Sequence, residues 1–158
     1  MRFSDSVRTT ILTGAVAATL AAGAPGVQAQ LLESTGTVAT GLLLRQMDGV
    51  KRVLMIAAHP DDENTSLLTT AARGWGAETA YLSLTRGDGG QNLIGAELWE
   101  GLGIVRTGEL LAARRLDGGR QFFTRAFDYG FSKSADEALS LWPHEELLRD
   151  VTWVVRSY

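Results

Sequence analysis

The sequence has no cysteine, so neither a disulfide framework nor a thiolate metal centre can be built from it. Histidine is nearly as scarce. His59 and His144 are the only two, which limits the nitrogen ligands available to any metal. Basic residues are outnumbered by acidic ones, 15 against 18, for a formal charge of −3. That balance disfavours nucleic acid as a partner. Internal repeats, low-complexity tracts and interdomain linkers are also missing, and the longest apolar run, Ile11 to Ala22, is too short to span a bilayer comfortably.

That run has a different meaning from its context. Arg2 and Arg8 stand near or before it, Gly23, Pro25 and Gly26 follow, and Val27-Gln28-Ala29 places small residues ahead of Gln30. A charged start, a short apolar middle and small residues at the cleavage positions describe a secretory signal peptide over residues 1–29. The mature chain is then expected to be exported, periplasmic or extracellular, with no stable membrane span; a retained anchor is the alternative. No twin-arginine pair precedes the run, which favours the general secretory route. Cleavage removes Arg2, Arg8 and Asp5 and leaves a charge of −4. The roughly 129 residues that remain suffice for one small domain with a core. Without disulfides, that core must supply the stability.

The densest chemistry follows Val53-Leu54-Met55-Ile56-Ala57. This apolar run reads as a central parallel strand, because strands covered on both faces lose the alternation of half-exposed ones. It empties into Ala58-His59-Pro60-Asp61-Asp62-Glu63 at its carboxyl end, the edge where open α/β sheets bind ligands. His59 and Asp62 lie three apart across a turn that Pro60 stiffens, so an imidazole nitrogen and a carboxylate oxygen can converge on one cation. Such ligands suit zinc, with iron or manganese as competitors. Asp61, between them, is placed to take a proton from water whose pKa a metal lowers. Asp62 could instead cap the helix expected from Glu63 to Arg73 and ended by Gly74.

The string from Ala58 to Glu63 resembles the signature of the PIG-L/LmbE-like zinc-dependent de-N-acetylases. The similarity continues through Thr85-Arg86-Gly87-Asp88-Gly89-Gly90-Gln91-Asn92 and Arg106-Thr107-Gly108-Glu109-Leu110-Leu111-Ala112-Ala113-Arg114-Arg115, and is closest to the long, exported bacterial members. It spans roughly Arg52 to Tyr158. The resemblance implies removal of acetyl groups from N-acetylglucosamine-type sugars or related amides, with His59 and Asp62 as metal ligands and Asp61 as general base. It also implies a third ligand from a later His-x-x-His stretch, and no such stretch is present. The chain is therefore expected to be truncated at its carboxyl end and to lack activity by itself. His144, in the first turn of a helix beginning near Pro143, is either a substitute ligand or a partly exposed helix-start residue.

The remaining pattern supports an α/β reading. Gln30 to Thr37 reads as a leader, and Val38 to Met47 as a short helix stopped by Asp48-Gly49. Glu78 to Leu84 is a second strand with alternating apolar positions, so strand, helix, strand predicts a parallel crossover. That strand delivers Thr85 to Asn92 to the same sheet edge, where Gly87 to Gly90 let a backbone approach a ligand closely or form a flexible turn. Asp88 and Asn92 are its expected substrate contacts. A helix from Val105 to Leu116 sets Arg106 and Glu109 on one face, either as a surface ion pair or with Arg106 holding a substrate oxygen. Gln121 to Thr124 reads as a short third strand. Phe122, Phe123, Phe127, Tyr129 and Phe131 are expected to cluster in the core, with sugar stacking as the alternative. Leu147, Leu148, Val151, Val154, Val155 and Tyr158 recur at helical spacing from Pro143 onward.

The expected molecule is α/β, a Rossmann-like parallel sheet flanked by helices, with residues 1–29 as signal peptide, 30–50 as leader and short helix, and 51–158 as the amino-terminal part of a deacetylase domain. Its expected partner is a small amino-sugar substrate. A non-catalytic sugar-binding remnant of the same fold is the alternative. A magnesium-binding response-regulator receiver is disfavoured by His59-Pro60, by the want of a phospho-acceptor Asp after the third strand, and by secretion.

Overall fold

Residues 35–48 and 50–158 are described by a computed structural model. The expected signal peptide at 1–29 and the leader up to residue 34 lie outside the described residues. The first element, α1 (Gly36–Met47), carries no buried residue and ends on Asp48. It touches the rest of the fold at the turn before the second strand. Gly76 adopts φ +68 there, and a Cβ on it would meet the Arg45 Cβ at 2.9 Å and the Leu42 carbonyl at 3.3 Å. Only glycine allows both that backbone sign and that approach.

Three parallel strands form the sheet in the order β1 (Arg52–Ala57), β2 (Glu78–Ser83), β3 (Arg120–Phe123). Their register sets Met55 beside Tyr81 beside Gln121, and Ala57 beside Ser83 beside Phe123. Side chains alternate along a strand, so these residues share one face. On that face Tyr81 packs with Leu68 and Leu110 from the two crossover helices, and Met55, Ala57 and Phe123 close around them. Toward β3, Phe122 meets Tyr158 edge to face at a centroid distance of 5.8 Å. Tyr158 follows α5 (His144–Ser157), whose Leu147 and Val154 are buried as its helical spacing implies.

Among the described residues the run read as a central strand stands at an edge of the three strands. Among the described residues β1 pairs only with β2, and its Ile56 is 43% exposed. The centre is β2, where every residue after Glu78 is buried, including Thr79 and Ser83. A β-branched apolar run reports burial potential but not the number of hydrogen-bonded neighbours. Conversely, the alternation read in β2 is chemical only, because both faces are covered.

The first crossover also differs from the expected helix over 63–73. An α-helix, α2 (Thr65–Thr69), passes into a π-helical turn, Thr70–Gly74. Its amino-terminal cap is Asn64, whose Oδ1 accepts from the Leu67 amide at 2.9 Å. Asp62 is thereby excluded as the cap and left to the preceding turn. Gly74 ends the element as expected.

The second crossover is α3 (Glu100–Asp117), which begins a full turn before the expected Val105. Gly101, Gly103 and Gly108 lower its apparent propensity, but Gly103 has a packing reason. A Cβ there would come within 3.2 Å of the Asp88 Cβ, so the bare backbone lets the helix start lie against the 85–92 loop. A further short helix, α4 (Ala135–Leu141), follows Ser134, whose Oγ accepts from the Glu137 amide at 3.2 Å. Its signal is the Ser-x-x-Glu capping spacing.

The aromatic residues do not form one cluster. Phe127, Tyr129 and Trp142 make a chain of edge contacts near the surface, Phe123 lies under the Arg86 guanidinium, and Phe131 is 87% exposed. Gly130, just before Phe131, has φ +87.

Candidate active site

The two strand ends are bound to each other before any side chain enters. Past β2, the amides of Leu84 and Thr85 donate to the carbonyls of Ala57 and Ala58, each at 2.9 Å. The His59 carbonyl accepts from the Tyr81 hydroxyl, a donor rooted in the centre of the sheet. Burial, reinforced by the nearby Glu63 carboxylate, pushes the Tyr81 phenol well above its ordinary range, so it stays a donor.

Within the turn, the Asp62 Oδ2 accepts from the His59 amide at 2.8 Å and stands 3.3 Å from His59 Nδ1. Tetrahedral zinc ligands at ordinary bond lengths lie about 3.4 Å apart. The pair therefore fits as two ligands of one cation, and both side chains are accessible, 38% and 43% exposed. No group of three or more His, Cys, Asp or Glu side chains suited to a metal occurs among the described residues. His144 is 59% exposed and stands beside Glu145 at 3.5 Å. One imidazole and one carboxylate are one group fewer than the three that a catalytic zinc takes from protein.

The other face of the imidazole has a partner that sequence reasoning missed. Asp128 is 4% exposed, and its Oδ1 stands 3.8 Å from His59 Nε2 while accepting from the Gly130 amide at 2.8 Å. His59 is thus flanked by Asp62 at one nitrogen and by Asp128 at the other. Asp128 lies far along the chain inside an aromatic-rich segment, and no local spacing marks it; only the fold brings it here.

The glycine loop makes that juxtaposition possible. A Cβ on Gly89 would sit 2.1 Å from the Asp128 carbonyl oxygen, and one on Gly87, at φ +70, would meet Pro60 and Arg106 at about 3 Å. These glycines let protein backbone and side chains approach each other.

Arg106 reaches across the loop to Asp61, with its Nη2 3.1 Å from Asp61 Oδ2. The arginine is 20% exposed and the carboxylate 70%. Arg106 thus pairs with Asp61, and no Arg106–Glu109 ion pair occurs among the described residues. Asp61 lines a cleft of about 580 Å³ together with Asn92, Arg106 and Glu109 on its polar side and Leu93 and Ile94 on its apolar side. Asn92 shapes that cleft. Its Oδ1 accepts from the amides of Ile94 and Gly95, each at 3.0 Å, and its Nδ2 donates to Glu97.

Asp88 is set apart from this group. Its Oδ1 accepts from the Asp128 amide at 3.3 Å, and it lines a neighbouring hollow of about 530 Å³ with Arg86, Thr107 and Phe127. The structure therefore gathers His59, Asp61, Asp62 and Arg106 at one edge, with Asn92 on the wall and Asp88 behind Asp128.

No curated protein matches the chain. The family model described as PIG-L, GlcNAc-PI de-N-acetylase, matches residues 54–158, which begin inside β1 and include the whole of this arrangement. A Rossmann-like α/β layer with that match over most of its length assigns the chain to the PIG-L family.

Proposed function

We propose that this protein is an exported, metal-dependent amidase that removes acetyl groups from N-acetylated amino sugars of the N-acetylglucosaminyl type or from related small amides. Family membership supports the hydrolase class. The carrying observation is the 3.3 Å approach of His59 Nδ1 to Asp62 Oδ2, with Asp61 between them in sequence and open to the cleft. His59 and Asp62 would hold the metal, zinc in the first place and iron(II) or manganese(II) as competitors. Such an ion supplies Lewis-acid polarisation of the amide carbonyl and acidifies water.

The chain's own residues divide the rest of the work. Arg106 engages Asp61 Oδ2 and would so orient the carboxylate as the acceptor for the proton of the attacking water. Attack at the acetyl carbon and cleavage of the C–N bond release acetate and an amine, and the proton held on Asp61 goes to that amine. Arg106 would hold a sugar oxygen in the cleft, with Asn92 bracing the cleft wall through its bonds to Ile94, Gly95 and Glu97, and Asp88 supporting the loop behind them. Export rests on the signal-like segment at 1–29. No helix among the described residues is long and apolar enough to cross a membrane.

The test pairs metal content with acetate release from N-acetylglucosamine conjugates. His59→Ala and Asp62→Ala should lose bound zinc, while Asp61→Asn should keep it and lose most turnover. Zinc retained undiminished in His59→Ala would overturn the ligand assignment. A second reading is a non-catalytic sugar-binding remnant of the same fold, and sugar binding without metal or acetate release would establish it.

A further inference from the structure

Glu63 closes the acidic motif but has no part in the chemistry above, and its surroundings are unlike those of a surface helix start. Its side chain is 7% exposed, and its Oε1 lies 3.2 Å from Arg114 Nη2. Its Oε2 is buried without a hydrogen-bond partner. Arg114 is itself 3% exposed and committed on every side. It contacts Asp117 Oδ2 at 2.6 Å, donates to Gln121 Oε1 at 3.4 Å, and stands 5.4 Å from the Tyr81 ring centroid. The same Tyr81 hydroxyl holds the His59 carbonyl.

Arg114 therefore touches both supports of the motif turn, Glu63 directly and His59 through Tyr81. Arg106 and Arg114 are eight residues apart on α3, a rise of about 12 Å, and they grip Asp61 and Glu63 respectively. Burying two carboxylates on one guanidinium is costly, and hydrophobic residues of similar volume often stabilise a core as well or better. The arrangement makes sense as a device for geometry. Arginine can serve both carboxylates at once because its donors form a planar fork; a lysine ammonium cannot do so with the same geometry.

We propose that Arg114 is a positioning residue, which through Glu63 and Tyr81 fixes the turn from His59 to Glu63 so that His59 Nδ1 and Asp62 Oδ2 are held together before any ligand arrives. The consequence for turnover rests on the function proposed above, but the ordering of the turn does not. Groups that orient metal ligands typically contribute 10- to 100-fold in affinity or activity.

The experiment uses the whole chain with Glu63→Gln, Arg114→Lys and Arg114→Met. Removing Arg114 outright leaves two buried carboxylates uncompensated, and that variant is expected to fold poorly. Glu63→Gln preserves the Arg114–Asp117 pair and supplies the decisive reading. Amide hydrogen exchange at His59 and Asp62 should accelerate about 10-fold in Glu63→Gln, with amides in β2 and the middle of α3 unchanged. Arg114→Lys should retain the fold yet show the same local acceleration. Titration with zinc should show affinity weakened by about 10-fold, and at saturating zinc kcat should fall while KM stays near its starting value. Unchanged exchange at His59 in Glu63→Gln would overturn the proposal, as would acceleration spread evenly over the sheet. Local acceleration in a protein that binds no zinc and releases no acetate would sustain the positioning role and refute the deacetylase reading instead.

Discussion

Replacing Gly89 by alanine tests whether the glycine loop exists to bring protein atoms together. Gly89 needs no positive φ, so an alanine backbone is locally acceptable and the cost is steric alone. The added Cβ would lie 2.1 Å from the Asp128 carbonyl oxygen, 2.6 Å from its carbon and 3.0 Å from the Gly130 nitrogen. Non-bonded contacts settle at about 3.5–4.0 Å between carbons, so one backbone must retreat by roughly 1 Å or more, and neither is the end of a flexible side chain. Overpacking of this kind costs about 1–3 kcal/mol. Losing the bond from the Asp128 amide to Asp88 adds about 1 kcal/mol. Gly89→Ala should therefore destabilise by about 2–4 kcal/mol and carry Asp128 away from His59. Gly108→Ala is the internal comparison, because that glycine is exposed in mid-helix with nothing within 4 Å of a Cβ. It should stabilise by about 0.5–1 kcal/mol. Urea unfolding followed by circular dichroism, at constant m-value, reads both changes. A Gly89→Ala protein within about 0.5 kcal/mol of the parent would refute the steric account of the loop.

Tyr81→Phe should cost about 1–2 kcal/mol, since it strands the His59 carbonyl while keeping the ring in place; denaturant unfolding checks this, and no loss would show the bond to be idle. Stability should fall as pH rises above about 10, because burial pushes Tyr158 up to about 12 and raises Tyr81 as well, so the unfolded chain gives up protons that the folded chain keeps. Thermal melts between pH 9 and 11 should show the decline, and Tyr158→Phe should reduce it. Arg106→Gln should change stability by less than about 0.5 kcal/mol, since Asp61 is mostly exposed, yet lower turnover by misorienting the base; unchanged turnover would remove Arg106 from the site. Amino-terminal sequencing of secreted protein should find Gln30 first, and material beginning at Met1 would refute cleavage after Ala29.

Local sequence settled what depends on nearest neighbours. The strand that empties into His59 and Asp62, the parallel second strand, the short third strand and the helix after Pro143 were all legible, because apolar periodicity and turn chemistry act over a few residues. The motif itself put His59 and Asp62 within reach of each other, since four consecutive residues carry their own spacing. Other features belong to the tertiary structure alone. Whether β1 or β2 is central depends on which strands find hydrogen-bond partners, and β-branched composition is the same in either place. The cap of α2 passed from Asp62 to Asn64 because Asp62 bonds back to the His59 amide. Asp128 and Arg114 reach the motif across 69 and 51 residues, and nothing in their own neighbourhoods signals it. Such pairings are set when helices and loops dock on the sheet, where burial, close glycine contacts and the need to compensate buried charge act together, and no window along the chain contains all three.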